Sequence, residues 1–267
     1  MKHLLHLTLF VLLAGPALAV DGVVLINQSI ALAGGVTPGD TPGFPVTISL
    51  SGSYRLSGNL VVPDANTTAL QITANNVTID LNGFSIIGPV VCSGFPTSCA
   101  PTGTGAGIDG GAFNGVMVLH GVVTGMGGTG ISLFGIGARV EDTRALGNGG
   151  TGISVGHATV SFSEASNNGF IGFDGEGMFI SDTASFNGSH GIHLQFAAGS
   201  VVMNSRVSSN NGTGILAAVP ATISGNAAYF NQVGISGCGS ITSNSAAFNT
   251  SGDIVAGCTR ANNYPVP

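Results

Sequence analysis

The chain has 267 residues, 43% of them hydrophobic and only 7% charged, with 44 glycines and a formal net charge of −6. That apolar content excludes a coreless disordered chain, which combines low hydrophobicity with high charge, and the glycines follow no collagen triplet. Six Lys+Arg against 12 Asp+Glu leave no basic patch for a polyanion, so nucleic acid is excluded as a partner.

Residues 1–19 read as a secretory signal peptide. Lys2 gives a positive start and Leu4 to Leu13 an apolar run. Gly15-Pro16 and Ala17-Leu18-Ala19 then predict cleavage after Ala19. The run is too short to span a bilayer, and no later stretch is continuously apolar enough, so no transmembrane segment is expected after removal of the signal. The expected location is secreted, periplasmic or on the cell surface. Export implies paired cysteines. Of the three connectivities open to four cysteines, Cys92–Cys99 with Cys238–Cys258 is favoured. The first pair brackets a short Pro/Ser/Thr segment and the second lies 20 residues apart.

Residues 20–57, with Pro38, Pro42 and Pro45, read as an N-terminal cap region, and 58–267 as the repetitive body. Within the body, 88–106 contains Pro89, Pro96 and Pro101. It reads as a loop inserted between coils and stapled by Cys92–Cys99.

The body repeats. A Gly followed by a bulky apolar residue recurs at Gly107-Ile108, Gly130-Ile131, Gly152-Ile153, Gly172-Phe173, Gly191-Ile192, Gly214-Ile215 and Gly234-Ile235, and a degenerate Gly252-Asp253 follows. The steps are 23, 22, 20, 19, 23, 20 and 18 residues. In phase with them, a small apolar residue precedes by three an Asn at 148, 168, 187, 210, 231 and 249. Tetratricopeptide and ankyrin units are longer and need helix-forming runs, and no Leu-x-x-Leu-x-Leu framework is present. Short alternating stretches such as Val77-Thr78-Ile79-Asp80-Leu81, cut by Gly and Asn, read as strands and turns. Coils of about 20 residues stack at the ~4.8 Å strand spacing, so equivalent residues form ladders. Ile131, Ile153, Phe173, Ile192, Ile215 and Ile235 are expected to pack inward. Asn148, Asn168, Asn187, Asn210, Asn231 and Asn249 are expected to form an Asn ladder at a corner, where Asn and Gly supply left-handed backbone. The fold class is all-β, a single-stranded right-handed parallel β-helix.

Gly52-Ser53-Tyr54-Arg55-Leu56, Asn76-Val77-Thr78-Ile79-Asp80-Leu81-Asn82-Gly83 and the Gly-Ile…Ala-x-x-Asn coils resemble the exported right-handed parallel β-helix repeat proteins of bacteria, in the pectate-lyase-like superfamily. The resemblance spans about residues 50–260 and is to members without an assigned reaction. The superfamily also holds polysaccharide lyases, glycoside hydrolases, epimerases, adhesins and phage tailspikes. The resemblance therefore implies a fold and selects no activity.

The candidate catalytic residues are Asp174, Glu176 and His193. Ser132, Ser154, Asp174, His193, Leu216 and Ser236 form a column expected to face outward, and Gly156, Glu176 and Gln195 follow two residues on. Carboxylates beside a His could do acid–base chemistry or hold a cation. A Ser–His–Asp relay is disfavoured because Asp174 separates Ser154 from His193. Arg144 and Glu164 read as a cross-strand ion pair. Asp182 shares a polar column with Thr143, Ser163, Ser205, Asn226 and Asn244 that reads as turn solvation. Phe186, Phe230 and Phe248 share a column read as inward. With no Trp and three Tyr, that argues against aromatic platforms for sugars. His120 stands in for a corner Asn, His157 is isolated in a short loop, and His190 with His193 lacks a third metal ligand, so no metal site is expected.

The first functional reading is a non-enzymatic exported or cell-surface β-helix with a binding or structural role. It needs no cofactor, acts as a monomer, and takes a polysaccharide or cell-envelope component as partner. The alternative is a polysaccharide lyase or glycoside hydrolase on the face near Asp174 and His193, for which Ca2+ would enter only as a lyase cofactor. An ice-binding coil is disfavoured by the irregular outward columns.

Overall fold

The computed structural model describes residues 22–195, 199–256, 260–261 and 264–265. The expected signal peptide and Cys258 lie outside them, so cleavage after Ala19 and the Cys238–Cys258 pairing stand as expectations.

The chain winds as a right-handed parallel β-helix of about nine turns. Each coil contributes to three ladders of parallel strands, and right-handed winding is the sense that twisted parallel strands favour. The first ladder starts at Val46–Ile48 and Leu70–Ile72 and continues through Ile108–Gly111, Ile131–Leu133 and their successors to Ile254–Ala256. The second begins with Val23–Ile26 against Gly52–Leu56 and the third with Leu60–Val61 against Ser85–Ile87. The short helix Gln28–Ala33 sits at the N-terminal end, capped by the Asn27 side chain, and buries Ala31 in the core. No helix among the described residues is long and apolar enough to cross a membrane.

The expected core column is in register: Ile131 pairs with Ile153, then Phe173, Ile192, Ile215 and Ile235 follow, all fully buried. Phe173 also meets Phe179 of the second ladder edge-on, with ring centroids 6.1 Å apart. Each such side chain contributes roughly 1.5–3 kcal/mol by leaving water.

The two sequence columns are mechanically linked. In the Asn ladder each Oδ1 accepts both the backbone N–H and the side-chain Nδ2–H of the Asn one coil earlier, at 2.9–3.2 Å. A Cβ on Gly152 would lie 2.6 Å from Asn168 Nδ2 and 2.8 Å from the Gly172 carbonyl oxygen. From Gly130 to Gly234 the Gly of each pair is therefore required by the close approach of the ladder, rather than by corner backbone as the sequence suggested.

The corners also differ from expectation. The left-handed residue is not the ladder Asn but the one before it: Asn167, Phe186, Ser209, Phe230 and Phe248 have φ of 55–58°, with Gly125 and Gly147 in the same column. A second left-handed column, His120, Asp142, Phe162, Ser181, Asn204 and Ser243, lies between the second and third ladders. His120, at φ 56°, replaces Asn82, at φ 52°, as expected. A left-handed residue interrupts the in–out alternation, so the residue before it and the corner residue itself both face out and the next turns in. Two corrections follow. Phe186, Phe230 and Phe248 do share a column, but they face solvent, at 46%, 59% and 62% exposure. Thr143, Ser163, Asp182, Ser205, Asn226 and Asn244 are not turn solvation but a second buried ladder. Ser163 N–H donates to Asp182 Oδ1 at 2.9 Å, Asp182 N–H to Ser205 Oγ at 3.2 Å, and Ser205 N–H to Asn226 Oδ1 at 2.8 Å.

Cys92 and Cys99 are disulfide-bonded across an antiparallel pair, Val91–Ser93 with Ser98–Ala100. This hairpin lies along the corner that holds the Asn ladder. Cys92 Sγ is 3.1 Å from the Gly147 carbonyl, and Thr97 Oγ1 donates to the Phe186 carbonyl.

Candidate functional site

The outward column of the first ladder is in the expected register, Ser132–Ser154–Asp174–His193–Leu216–Ser236. Flanking inward residues, Phe173 and then Ile192 and Leu194, are buried, so alternation presents Asp174 and His193 on the outer face. Both keep a little under a fifth of their side-chain surface exposed. His193 Nδ1 lies 3.0 Å from Asp174 Oδ1, and Gln195 Nε2 donates to the same oxygen. A carboxylate oxygen can only accept, so His193 carries its proton on Nδ1 in the neutral form. Nε2 is then left as the basic nitrogen, and no hydrogen bond holds it among the described residues.

Glu176 does not join this cluster. Gly175, at φ 138°, and Gly177, at φ 123°, turn the strand, and Glu176 Oε1 meets His157 Nε2 at 3.1 Å. His157, read from sequence as isolated, therefore lies against the Glu176 carboxylate. It lies on the rim of a cleft of about 490 Å³ lined also by Arg139, Gly137, Gly177 and Met178. Neither Asp174 nor His193 lines that cleft. The structure thus joins two of the three candidates, Asp174 and His193, and sends Glu176 to a separate carboxylate–histidine pair.

The remaining groups have local partners. Arg144 Nε bonds Glu164 Oε2 at 2.8 Å, in register as expected, and Arg139 pairs with Glu141 two residues along its own strand. His190 stacks obliquely on His193 with centroids 5.4 Å apart, and its Nδ1 accepts the Thr213 N–H at 3.0 Å. Burial, reinforced by the neighbouring His193, holds the His190 imidazole below its ordinary pKa. Among the described residues no three His, Cys, Asp or Glu side chains gather closely enough to hold a metal ion.

A third polar cluster was not singled out from sequence. Asp80 bonds Arg55 at 2.9 Å and His120 at 3.3 Å. Burial raises its pKa, but hydrogen bonds from Asn82 N–H, Arg55 and His120 outweigh it and hold the carboxyl below the ordinary value. Gly52–Leu56 pairs in register with Val77–Asp80, so the motif strands themselves could have revealed the Arg55–Asp80 contact.

Ser154 and His193 stand two coils, about 9.6 Å, apart, which removes a nucleophilic relay. A glycosidase needs two carboxyl groups converging on one bond, whereas Asp174 and Glu176 each engage a different histidine.

No family model and no curated protein matches the sequence. Solved structures do match in fold. The A-module of the Azotobacter vinelandii mannuronan C-5 epimerase AlgE4 aligns over 80% of this chain and 68% of its own, with TM-score 0.60 and 15% identity. The Dettilon tailspike protein aligns over 83% of this chain with TM-score 0.50 and 14% identity. This chain spans only 52% of that tailspike. At such identities the likeness is one of fold: both neighbours, like this chain, are right-handed β-helices.

Proposed function

We propose that the protein is an exported polysaccharide-binding β-helix that holds a glycan along its outer face without cleaving it. The observation that carries this reading is the Asp174–His193–Gln195 cluster. It is a partly buried hydrogen-bonded group on an otherwise serine-rich strand face, with the imidazole Nε2 left to engage a ligand. Sugar hydroxyls both donate and accept, and preorganised polar side chains bind them without paying to order the site. A mannuronan epimerase among the fold neighbours fits the same ligand class, and the Cys92–Cys99 disulfide fits an extracellular location.

A polysaccharide panel tests this by affinity electrophoresis, with reducing ends and unsaturated products assayed in parallel, with and without calcium. At least one glycan is expected to be retarded with no new chain ends. Asp174→Ala and His193→Ala are each expected to weaken that retardation about tenfold, the effect of losing roughly 1.4 kcal/mol of hydrogen bonding. One observation favours the enzymatic alternative: Asp174 orients His193 as a carboxylate orients a general base. New chain ends that vanish in His193→Ala would replace the binding reading with that one.

A further inference from the structure

The exposed phenylalanines at the ladder corner are unexplained by the fold. Phe186, Phe230 and Phe248 each adopt a left-handed backbone that Gly125, Gly147 and Asn167 occupy in the same column. A bulky residue is unfavourable there and an exposed ring gains little from burial, so neither packing nor corner geometry asks for phenylalanine. Phe230 and Phe248 stack face to face, with centroids 5.3 Å apart and planes within 9°. Phe186 shares their column and φ, but Ser209 stands between it and Phe230. Two coils separate Phe186 from Phe230, about 9.6 Å at the strand spacing. One ring is missing from the stack, and the opening is close to two stacking distances.

We infer that this opening is a sugar subsite, in which an uncharged hexopyranose unit of a glycan slides between Phe186 and Phe230 in the place of the missing ring. The inference rests on the polysaccharide-binding reading and names a site and sugar class for it. A pyranose presents C–H faces to the negative faces of aromatic rings and hydroxyls around its edge. Hydroxyl side chains of the intervening coil stand at the opening, where Ser208 precedes the corner and Ser209 occupies it, while the Ser185 and Tyr229 hydroxyls are turned to the outer coils, toward Ser166 and Ser245. The disulfide-stapled hairpin ends here, since Thr97 bonds the Phe186 carbonyl and Phe95 stands 61% exposed on the hairpin. No carboxylate occupies these positions, and Arg206 is the charged side chain beside them, exposed on the same strand face two residues from Ser208. The ring faces themselves suit the uncharged C–H face of a sugar.

Three variants of the full chain test it against the panel, with urea unfolding alongside. Ser209→Phe completes the stack and fills the opening. It is expected to leave the chain as stable as before, or more so, and to reduce glycan affinity at least tenfold. Phe186→Asn and Phe230→Asn place a residue already used in this column at φ 57°. Each is expected to fold normally and lose affinity about tenfold, with neutral glycans affected most. A purely structural stack gives the opposite pattern: Phe230→Asn lowers stability and all three variants bind as before. If His193→Ala abolishes binding while all three corner variants bind normally, the subsite is wrong and the polysaccharide reading stands. Preference for acidic over neutral glycans also overturns the subsite. Absence of binding to every glycan overturns both.

Discussion

At pH 8, Asp182→Asn is expected to stabilise the protein by up to about 4 kcal/mol, and at pH 4 to change it little. Asp182 sits in the second buried ladder at 1% exposure, surrounded by hydroxyl and amide side chains. Burial pushes its carboxyl up from 3.8 to about 7, against the opposing hydrogen bonds from Ser163 and Ile180 backbone groups. Its Oδ2 has no hydrogen-bond partner among the described residues. Between about pH 4 and pH 7 the folded chain keeps a proton that the unfolded chain has released. Stability is therefore fully present below about pH 4, falls as pH rises through that window, and levels off above about pH 7. Roughly three pKa units at 1.36 kcal/mol each give the magnitude. Asn226 and Asn244 show that an amide fits this column: each donates Nδ2–H to a second-ladder carbonyl, at 2.9 Å. By register the amide introduced at position 182 would aim at the Val160 carbonyl. Urea unfolding of both proteins from pH 4 to pH 8 decides the matter, and a stability difference that does not change with pH would falsify the assignment of a buried, proton-holding carboxyl.

Asp182 also marks where sequence reasoning stopped. Columns were legible because a solenoid converts a chain interval of about 20 residues into direct contact. The register of Ile153 with Phe173 and Ile192, and of Asp174 with His193, came from counting alone. What lies on the inside of a column was legible only along strands, where alternation has period two. At Ser185-Phe186-Asn187 and Ile180-Ser181-Asp182 a left-handed residue shifts the alternation by one place. Alternation alone therefore puts Phe186 inside when it is exposed, and Asp182 in solvent when it is buried. The correct signal was present in the chain. Gly125, Gly147 and Asn167, residues that tolerate positive φ, occupy the Phe186 column and identify it as the corner position.

The candidate site divides the same way. Asp174 and His193 are neighbours on one strand face, which alternation predicts. Glu176 lies two residues beyond Asp174, and alternation assigns it to the same face. However, Gly175 and Gly177 take φ values open mainly to glycine and redirect the chain toward His157. The pairing of Glu176 with His157 depends on that bend and is invisible to a count of residues.

Breaking the Asn ladder at its middle is expected to cost more than any single surface change: Asn187→Ala should destabilise the protein by about 3–5 kcal/mol, since it removes several buried hydrogen bonds at once. Asn187 makes four side-chain hydrogen bonds in a fully buried position. Its Oδ1 accepts from Asn168 N–H at 3.1 Å and Nδ2–H at 3.0 Å, and its Nδ2 donates to Ala165 O and Asn210 Oδ1, both at 2.9 Å. Alanine removes all four and leaves the Asn168 amide N–H buried without an acceptor, and each such orphan costs about 1–3 kcal/mol. The loss should be graded along the solenoid, because coils contact only their neighbours. Asn249, the last Asn of the ladder, is only partly buried, and its Nδ2 also reaches the partly exposed Asp253 at 2.8 Å. Asn249→Ala likewise removes the acceptor of the Asn231 N–H, but at this partly exposed position water can enter and take its place, so the loss should be about 1 kcal/mol, the net worth of an ordinary hydrogen bond. Asn187→Asp carries the argument furthest. It keeps the shape and the acceptor but turns the donor toward Asn210 Oδ1 and Ala165 O into a second acceptor. The new carboxyl can restore one donor only by staying protonated, so this variant should be markedly less stable at pH 8 than at pH 4, as Asp182 makes the natural chain. Equal losses for Asn187→Ala and Asn249→Ala in urea unfolding would show that the buried amide bonds are not what holds successive coils together.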